Sequence, residues 1–384
     1  MAADVHAAAF GDSLLREVRE ESLAELLHSV RALTTPQPQP RLGIKPLDAL
    51  LRVFHPNPHP HPHPHPHPPP ILEITSPPSP SGKSHLLYHL TALAILPATH
   101  NSIPLPGASS AVIYLDTDSR FDPARLHAVA VNIVHASAAH HDLPISHEAE
   151  TEAEVHAMVH NAMRHVHVFR PQSSAALLAT VNSLERYLVD GTGHVSSERR
   201  VHAVLLDSAS AFYWQDRREA EVVGIPGVRE ERARDENEEG LSVTQTAREI
   251  VSGLRRVQRV FGCAVVFTTW GVQNQNQNQN QRGYGYGQPL SFRPHLPHPW
   301  PGFANCRVVV AREAVNGFPP GMSAEEARES GDAAKRQGVV RRGVFRGWVD
   351  RWGSERWERR VWEGLERDGN GVFGFEVTEE GVRI

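Results

Sequence analysis

Lys83, Ser84 and Asp207 are the residue types that handle a polyphosphate, and each stands where that chemistry needs it. Ser76-Pro77-Pro78-Ser79-Pro80-Ser81-Gly82-Lys83-Ser84 follows a short apolar run, Ile71–Thr75, and opens a helix-prone stretch over residues 84–96. A strand, a loop and a helix start are the setting of a phosphate-binding loop. Successive backbone N–H groups and the helix N-terminus would cradle phosphate, Lys83 would neutralise its outer oxygens, and the Ser84 hydroxyl would hold magnesium. The prolines work against this. Pro77 takes the place of the first glycine, and each proline removes a donor and fixes φ. The N–H groups of Ser81, Gly82, Lys83 and Ser84 survive. Losing one charge-assisted donor costs about 1.5–3 kcal/mol, roughly 10- to 150-fold in affinity. The sequence therefore predicts weakened ATP–magnesium binding, or none.

Two further carboxylates complete the constellation. Asp207 ends the apolar run Val201-His202-Ala203-Val204-Leu205-Leu206, the position of a magnesium-organising aspartate. Asp118, in Leu115-Asp116-Thr117-Asp118, stands where it could orient an attacking water. Ligands of open α/β sheets bind at the carboxyl ends of strands, where both would sit.

The elements that must position these residues are legible as alternation. Apolar β-rich runs at 71–75, 111–115, 165–169, 201–206 and 263–268 alternate with helical stretches at 84–96, 123–135, 148–163, 173–189 and 242–260. That pattern predicts an α/β fold with a mostly parallel central sheet and helices on both faces. Late strands are expected at 307–310 and 372–377. The 384 residues, 40% hydrophobic and 22% charged, suffice for a sizeable core. The net charge of −5 gives no global pull toward nucleic acid, so DNA contact must come from local patches. Two cysteines, Cys263 and Cys306, fit a reducing compartment. No run of 18 apolar residues predicts a membrane span, and no secretory signal is expected.

The proline content is concentrated: 16 of the 30 prolines fall between Pro36 and Pro80. Five His-Pro units, His59 through Pro68, read as an extended linker within the insertion 55–70. Residues 273–288 carry a Gln/Asn tract and read as a disordered loop. Residues 12–33 read as an amphipathic helix. The segment 341–367 has eight arginines and Trp348, Trp352, Trp357 and Trp362 at spacings that approximate a helical stripe. The expected organisation is an N-terminal helix and linker (1–41), a core (42–312), a polar insertion with an Arg/Trp-rich helix (313–368) and a closing strand (369–384).

Three segments together carry a resemblance. They are Leu87-Tyr88-His89-Leu90-Thr91-Ala92, Tyr114-Leu115-Asp116-Thr117-Asp118 and Leu206-Asp207-Ser208-Ala209-Ser210-Ala211-Phe212-Tyr213-Trp214. With the block Ile44–Leu51 and the phosphate loop, they resemble the RecA/recombinase family of phosphate-loop ATPases, in particular its eukaryotic paralogues. The resemblance implies a RecA-like phosphate-loop core, with Ser81, Gly82, Lys83, Ser84 and Asp207 on ATP, and Ser84 and Asp207 on its magnesium. It implies a nuclear subunit that joins other recombinase paralogues in a heteromeric complex, binds single-stranded or branched DNA, and assists homologous-recombination repair of double-strand breaks. An active DNA-dependent ATPase is the alternative, and a small-molecule kinase a remoter one. The departures argue against efficient turnover. Asp118 stands where active recombinases have a glutamate one methylene longer, and Trp270 follows Thr269 where a γ-phosphate-sensing glutamine is usual. The acidic run 230–239 would repel phosphate, whereas Arg282, Tyr284, Tyr286 and Arg293 interleave basic and aromatic types that could meet single-stranded DNA.

Overall fold

The computed structural model describes residues 42–54, 69–77, 81–143, 149–223, 242–271, 291–313 and 317–384, with Leu26 and Val315 besides. The expected helix at 12–33 (apart from Leu26), the His-Pro tract and the Gln/Asn tract lie outside them, as do Pro78, Ser79 and Pro80 of the phosphate loop. The chain divides after Pro38, and everything below concerns the unit that follows.

That unit begins with α1 (Lys45–Phe54), β1 (Ile71–Ser76) and α2 (Lys83–Ile95), then a small hairpin of β2 (Thr99–His100) and β3 (Ile103–Pro104). β4 (Ala111–Asp116), α3 (Pro123–His140), α4 (Ala149–Met163), β5 (Val166–Phe169), α5 (Ser174–Val189) and β6 (Val201–Asp207) follow. Next come α6 (Tyr213–Val223), α7 (Val243–Phe261), β7 (Ala264–Trp270) and β8 (Cys306–Arg312). The chain ends with α8 (Ala324–Glu329), α9 (Asp332–Arg342), β9 (Val344–Val349), α10 (Arg359–Arg367), β10 (Val372–Val377) and β11 (Val382–Arg383).

Nine strands form one sheet in the order β11-β10-β9-β8-β1-β7-β6-β4-β5. From β8 to β5 every pairing is parallel; from β8 through β9 and β10 to β11 every pairing is antiparallel. The predicted α/β architecture with a mostly parallel sheet is present, and it is that of a RecA-like core. β1 and β4 are buried along their full length, as strands covered on both faces must be, and this is why they read as continuous apolar runs. One face packs against α1, α2, α3, α4 and α10 through Leu72, Ile74, Val112, Leu205 and Val266. The other packs against α5 and α7 through Ile71, Ile113, Val204 and Val265. Side chains alternate between the two faces along every strand.

Local signals set the helix starts. Ser173 and Ser242 accept the N–H groups of Ala176 and Gln245, and Asp122 accepts that of Ala124 ahead of Pro123, removing orphan donors at the first turns of α5, α7 and α3. Nine of the 13 residues of α2 are buried, so beyond its polar first turn it sits in the core instead of riding on it.

The C-terminal region corrects the sequence reading. No single Arg/Trp-rich helix exists. Trp348 lies in β9, Trp352 in the turn after it, Trp357 ends a 3-10 turn over Ser354–Arg356, and Trp362 is on the nine-residue α10. The spacings of the tryptophans mimic a helical stripe, but Gly353 breaks it: glycine is costly inside a helix, and this one adopts φ 77°. β9 also belongs to the same sheet as the core, so a boundary at 312 would cut through a continuous ladder.

Candidate functional site

The phosphate loop lies at the carboxyl end of β1, between β7 and β8. Lys83 is the first residue of α2, and Gly82 caps it with φ 80° and ψ 3°. Only glycine takes that conformation cheaply, and a side chain there would also collide: its Cβ would stand 3.0 Å from Phe375 and 3.2 Å from Phe345. The N–H groups at the start of α2 have no side-chain cap, which leaves them for a ligand. Ser81 is buried, and Gly82, Lys83 and Ser84 are half-buried.

The predicted residues converge. The Ser84 hydroxyl donates to Asp207 Oδ2 at 2.7 Å. Lys83 reaches back across the loop, its ammonium donating to the Ser76 hydroxyl. Burial pulls the Lys83 ammonium down to about 8, against the opposing pull of the Asp207 and Asp118 carboxylates. Asp118 is half-buried at the end of β4; burial and the nearby Asp207 carboxylate raise its pKa. Its backbone N–H points toward Asp207 O at 3.4 Å, and that of Thr117 does so at 3.0 Å. The ends of β1, β4 and β6 thus bring Lys83, Ser84, Asp118 and Asp207 to one place.

Three contacts were not foreseen from sequence. Tyr114 O–H donates to Asp207 Oδ2 at 3.1 Å, and Thr268 Oγ1 donates to Asp207 Oδ1 at 2.6 Å. Together with Ser84 they fix the Asp207 carboxylate from three sides. Parity could have found them: Tyr114, Asp207 and Thr268 all fall on the α2 face of neighbouring strands. The third is the stacked pair Phe345–Phe375, with centroids 5.2 Å apart, against Gly82. Nothing in the sequence links residues so distant. The peptide Asp207–Ser208 is cis.

Asp116, two residues before Asp118, is committed elsewhere. It accepts the N–H groups of Arg120 and Phe121 and pairs with Arg170 Nε at 3.1 Å, so it shapes the turn that carries Asp118. Trp270 ends β7 opposite Ser76, its N–H on Ser210 Oγ at 3.2 Å. The donor set fits a magnesium–nucleotide: uncapped N–H groups, an ammonium for phosphate oxygens, and a hydroxyl–carboxylate pair for a hard cation. Two features oppose tight binding. Pro77 lacks a donor, and the two phenyl rings wall the loop on the side of β9 and β10.

Beneath the site, on the opposite face, lies a second polar cluster. Thr269 Oγ1 donates to Glu73 Oε1 at 2.7 Å, and Arg307 Nε stands 3.0 Å from the same oxygen. Arg307 also pairs with Asp350 at 3.0 Å and donates to Phe292 O at 2.6 Å. Burial raises the Glu73 pKa, against the lowering pull of Arg307.

Among the described residues no helix is long and apolar enough to cross a membrane, and no group of three or more metal-ligating side chains stands together. No family model matches the chain. Curated proteins do. The DNA repair protein XRCC2 of Mus musculus is 31% identical over 140 residues, 36% of this chain and 40% of that protein. The DNA repair protein XRCC2 homolog of Arabidopsis thaliana is 24% identical over 270 residues, 64% of this chain and 69% of that protein. The chain thus spans about two fifths of the length of the mouse relative and about two thirds of the plant one. The sheet order, the loop and these two similarities agree with the recombinase resemblance read from the sequence: this is a RecA-like α/β chain similar to the XRCC2 proteins.

Proposed function

We propose that this chain is a recombinase-paralogue subunit of the nucleus that assists homologous-recombination repair of double-strand breaks. It does so by binding other paralogues and single-stranded or branched DNA, with weak ATP–magnesium binding. The observation that carries this is the meeting of Lys83, Ser84 and Asp207 at the carboxyl ends of β1 and β6 of a RecA-like sheet, in a chain similar to two proteins named for DNA repair. In this reading Lys83 and the α2 N–H groups would hold phosphate, and Ser84 and Asp207 would hold the magnesium ion that neutralises it.

Turnover is not part of the proposal. An attacking water needs a base within about 2.6–3.2 Å of its proton. Asp118 is short for a position that active recombinases fill with glutamate, and Trp270 offers one donor and no acceptor. Calorimetry with ATP and magnesium tests the binding half: wild type should bind, and Lys83→Ala should bind at least tenfold more weakly. Gentle co-purification from nuclear extract tests the assembly half, and failure to recover any recombinase paralogue defeats it. The neighbourhood of Asp118, Lys83 and Asp207 favours the second reading, a DNA-dependent ATPase. Hydrolysis stimulated by single-stranded DNA and lost in Lys83→Ala would establish that instead.

A further inference from the structure

A cavity of about 320 Å³ opens beside the carboxyl end of β6, on the α5–α7 face and away from the phosphate loop. Its floor is apolar: Leu177, Ile250 and Leu296 come from the start of α5, the start of α7 and the segment before β8. Phe212, Tyr213 and Trp300 form aromatic walls. The volume lies at the low end for small-molecule sites, too small for a dinucleotide and suited to one flat ring system.

Two polar groups converge on this apolar pocket. Asp216, half-buried on α6, has its Oδ2 held by the Ser174 hydroxyl at 2.6 Å, which fixes the plane of the carboxylate and leaves acceptor capacity unused. Burial raises its pKa, against the lowering effect of the Ser174 hydrogen bond. His295 stands edge-on to Tyr213, ring centroids 4.9 Å apart, with Nε2 on Ser210 Oγ at 3.2 Å. Burial pulls its pKa down to about 4, so the ring is neutral at pH 7, and Nδ1 is the nitrogen left for a ligand. At the rim, Arg217 lies 5.8 Å over the exposed Trp214 ring, with its Nε on Glu221 at 3.0 Å.

Aromatic walls, an oriented carboxylate and a neutral imidazole are the means by which a base taken out of its stack is read. A carboxylate accepts and cannot donate, so it selects the base edge with two adjacent donors. Guanine presents N1–H and the exocyclic amine side by side; adenine, cytosine and thymine do not. We propose that this cavity takes a single unstacked guanine base of single-stranded DNA, with Asp216 accepting from N1–H and the exocyclic amine and with Phe212, Tyr213 and Trp300 enclosing the ring. The proposal rests on the DNA-binding reading above only for the source of the base.

The test separates the two. The full chain is titrated with guanosine, inosine and adenosine, and separately with an oligothymidylate with and without one central guanine. Guanosine should bind with a dissociation constant on the order of 100 µM. Inosine, which lacks the exocyclic amine, should bind at least tenfold more weakly, because one hydrogen bond to a charged group is lost. The central guanine should tighten the oligonucleotide by a similar factor. Asp216→Asn replaces one acceptor oxygen by a donor, so it should lose guanosine and gain xanthosine, whose edge offers one donor and one acceptor. A merely structural role for Asp216 would not produce that exchange. No saturable nucleoside binding, or equal affinity for the three nucleosides, overturns the guanine site, even where oligonucleotide binding persists and the DNA reading stands. Guanosine binding without any guanine effect in the oligonucleotide overturns the DNA source.

Discussion

Thr268 and Thr269 are neighbours on β7, yet they serve two different polar systems. Thr268 faces α2 and donates to Asp207; Thr269 faces the other way and donates to Glu73. The Asp207 cluster is neutral hydroxyls around one carboxylate, at the open end of the sheet. The Glu73 cluster is an ion network: Arg307 is flanked by Glu73 and Asp350, all of them largely buried within the sheet. The first has a hydroxyl and an ammonium that can exchange partners for a ligand. The second sets one guanidinium between two carboxylates, each held in place by the other members of the network. Buried ionic groups are costly to desolvate and costlier to leave unpaired, so such a network behaves as a fixed joint. The same strand therefore carries a site on one face and a brace on the other.

The largest effect expected is on the brace. Arg307→Ala leaves Glu73 and Asp350 without their cation, and denaturant unfolding should show a loss of about 3–5 kcal/mol. A loss below about 1 kcal/mol would mean that the network is wet and not a joint. Next comes the site. Lys83→Ala should weaken ATP–magnesium binding at least tenfold while leaving the unfolding midpoint of the ligand-free protein nearly unchanged. Sharper still is the pair on β7. Thr269→Val should lower stability by about 1–2 kcal/mol with nucleotide affinity intact, and Thr268→Val should weaken magnesium–nucleotide binding several-fold. Equal effects of the two substitutions on both readouts would dissolve the contrast between the faces.

The contrast also has a reading in pH. Lys83 titrates at about 8 in the folded protein against 10.5 ordinarily. Between those values the unfolded chain holds a proton that the folded one has released, so stability should rise with pH over that range. The rise should be absent in Lys83→Met, as denaturant midpoints near the two ends of the window would show. On the acid side, burial holds His89, His167 and His295 down to about 4. The unfolded chain takes up those protons from about 6.5 downward, so stability should fall as the pH drops from there toward 4.

Much of this arrangement was legible in advance. The parallel half of the sheet announced itself because strands buried on both faces are continuous apolar runs, and the helices between them carry cap residues such as Ser173, Ser242 and Asp122. Lys83, Ser84 and Asp207 were legible because each ends or begins an element of unmistakable type. What was not legible depends on pairing across long separations. The partners of Asp207 come from β4 and β7, and the phenyl wall beside Gly82 comes from β9 and β10. In the antiparallel half the expected strands at 307–310 and 372–377 are present, and the segment 341–367 departs from its expected helix for a different reason. Its tryptophans sit at near-helical spacings, and that signal outweighs Gly353, which interrupts them. The strand Val344–Val349 is short and interrupted by Arg346 and Gly347, so it offers little apolar run to set against it.

The register of β1 has a consequence for how the chain is made. Its neighbours in the sheet are β7 and β8, whose pairing residues begin at Val265 and Cys306. During synthesis at about 5–20 residues per second, β1 emerges roughly 10–40 s before its first ladder partner exists. Through that interval a central strand that the fold buries along its full length has both edges bare, joined to a helix nine of whose 13 residues the fold also buries. Long-range parallel pairing of this kind is slow and exposes sticky surface. The strand that carries the phosphate loop is thus the segment of the nascent protein most in need of shielding, and a chaperone bound to residues 71–95 would guard the fold and the site at once.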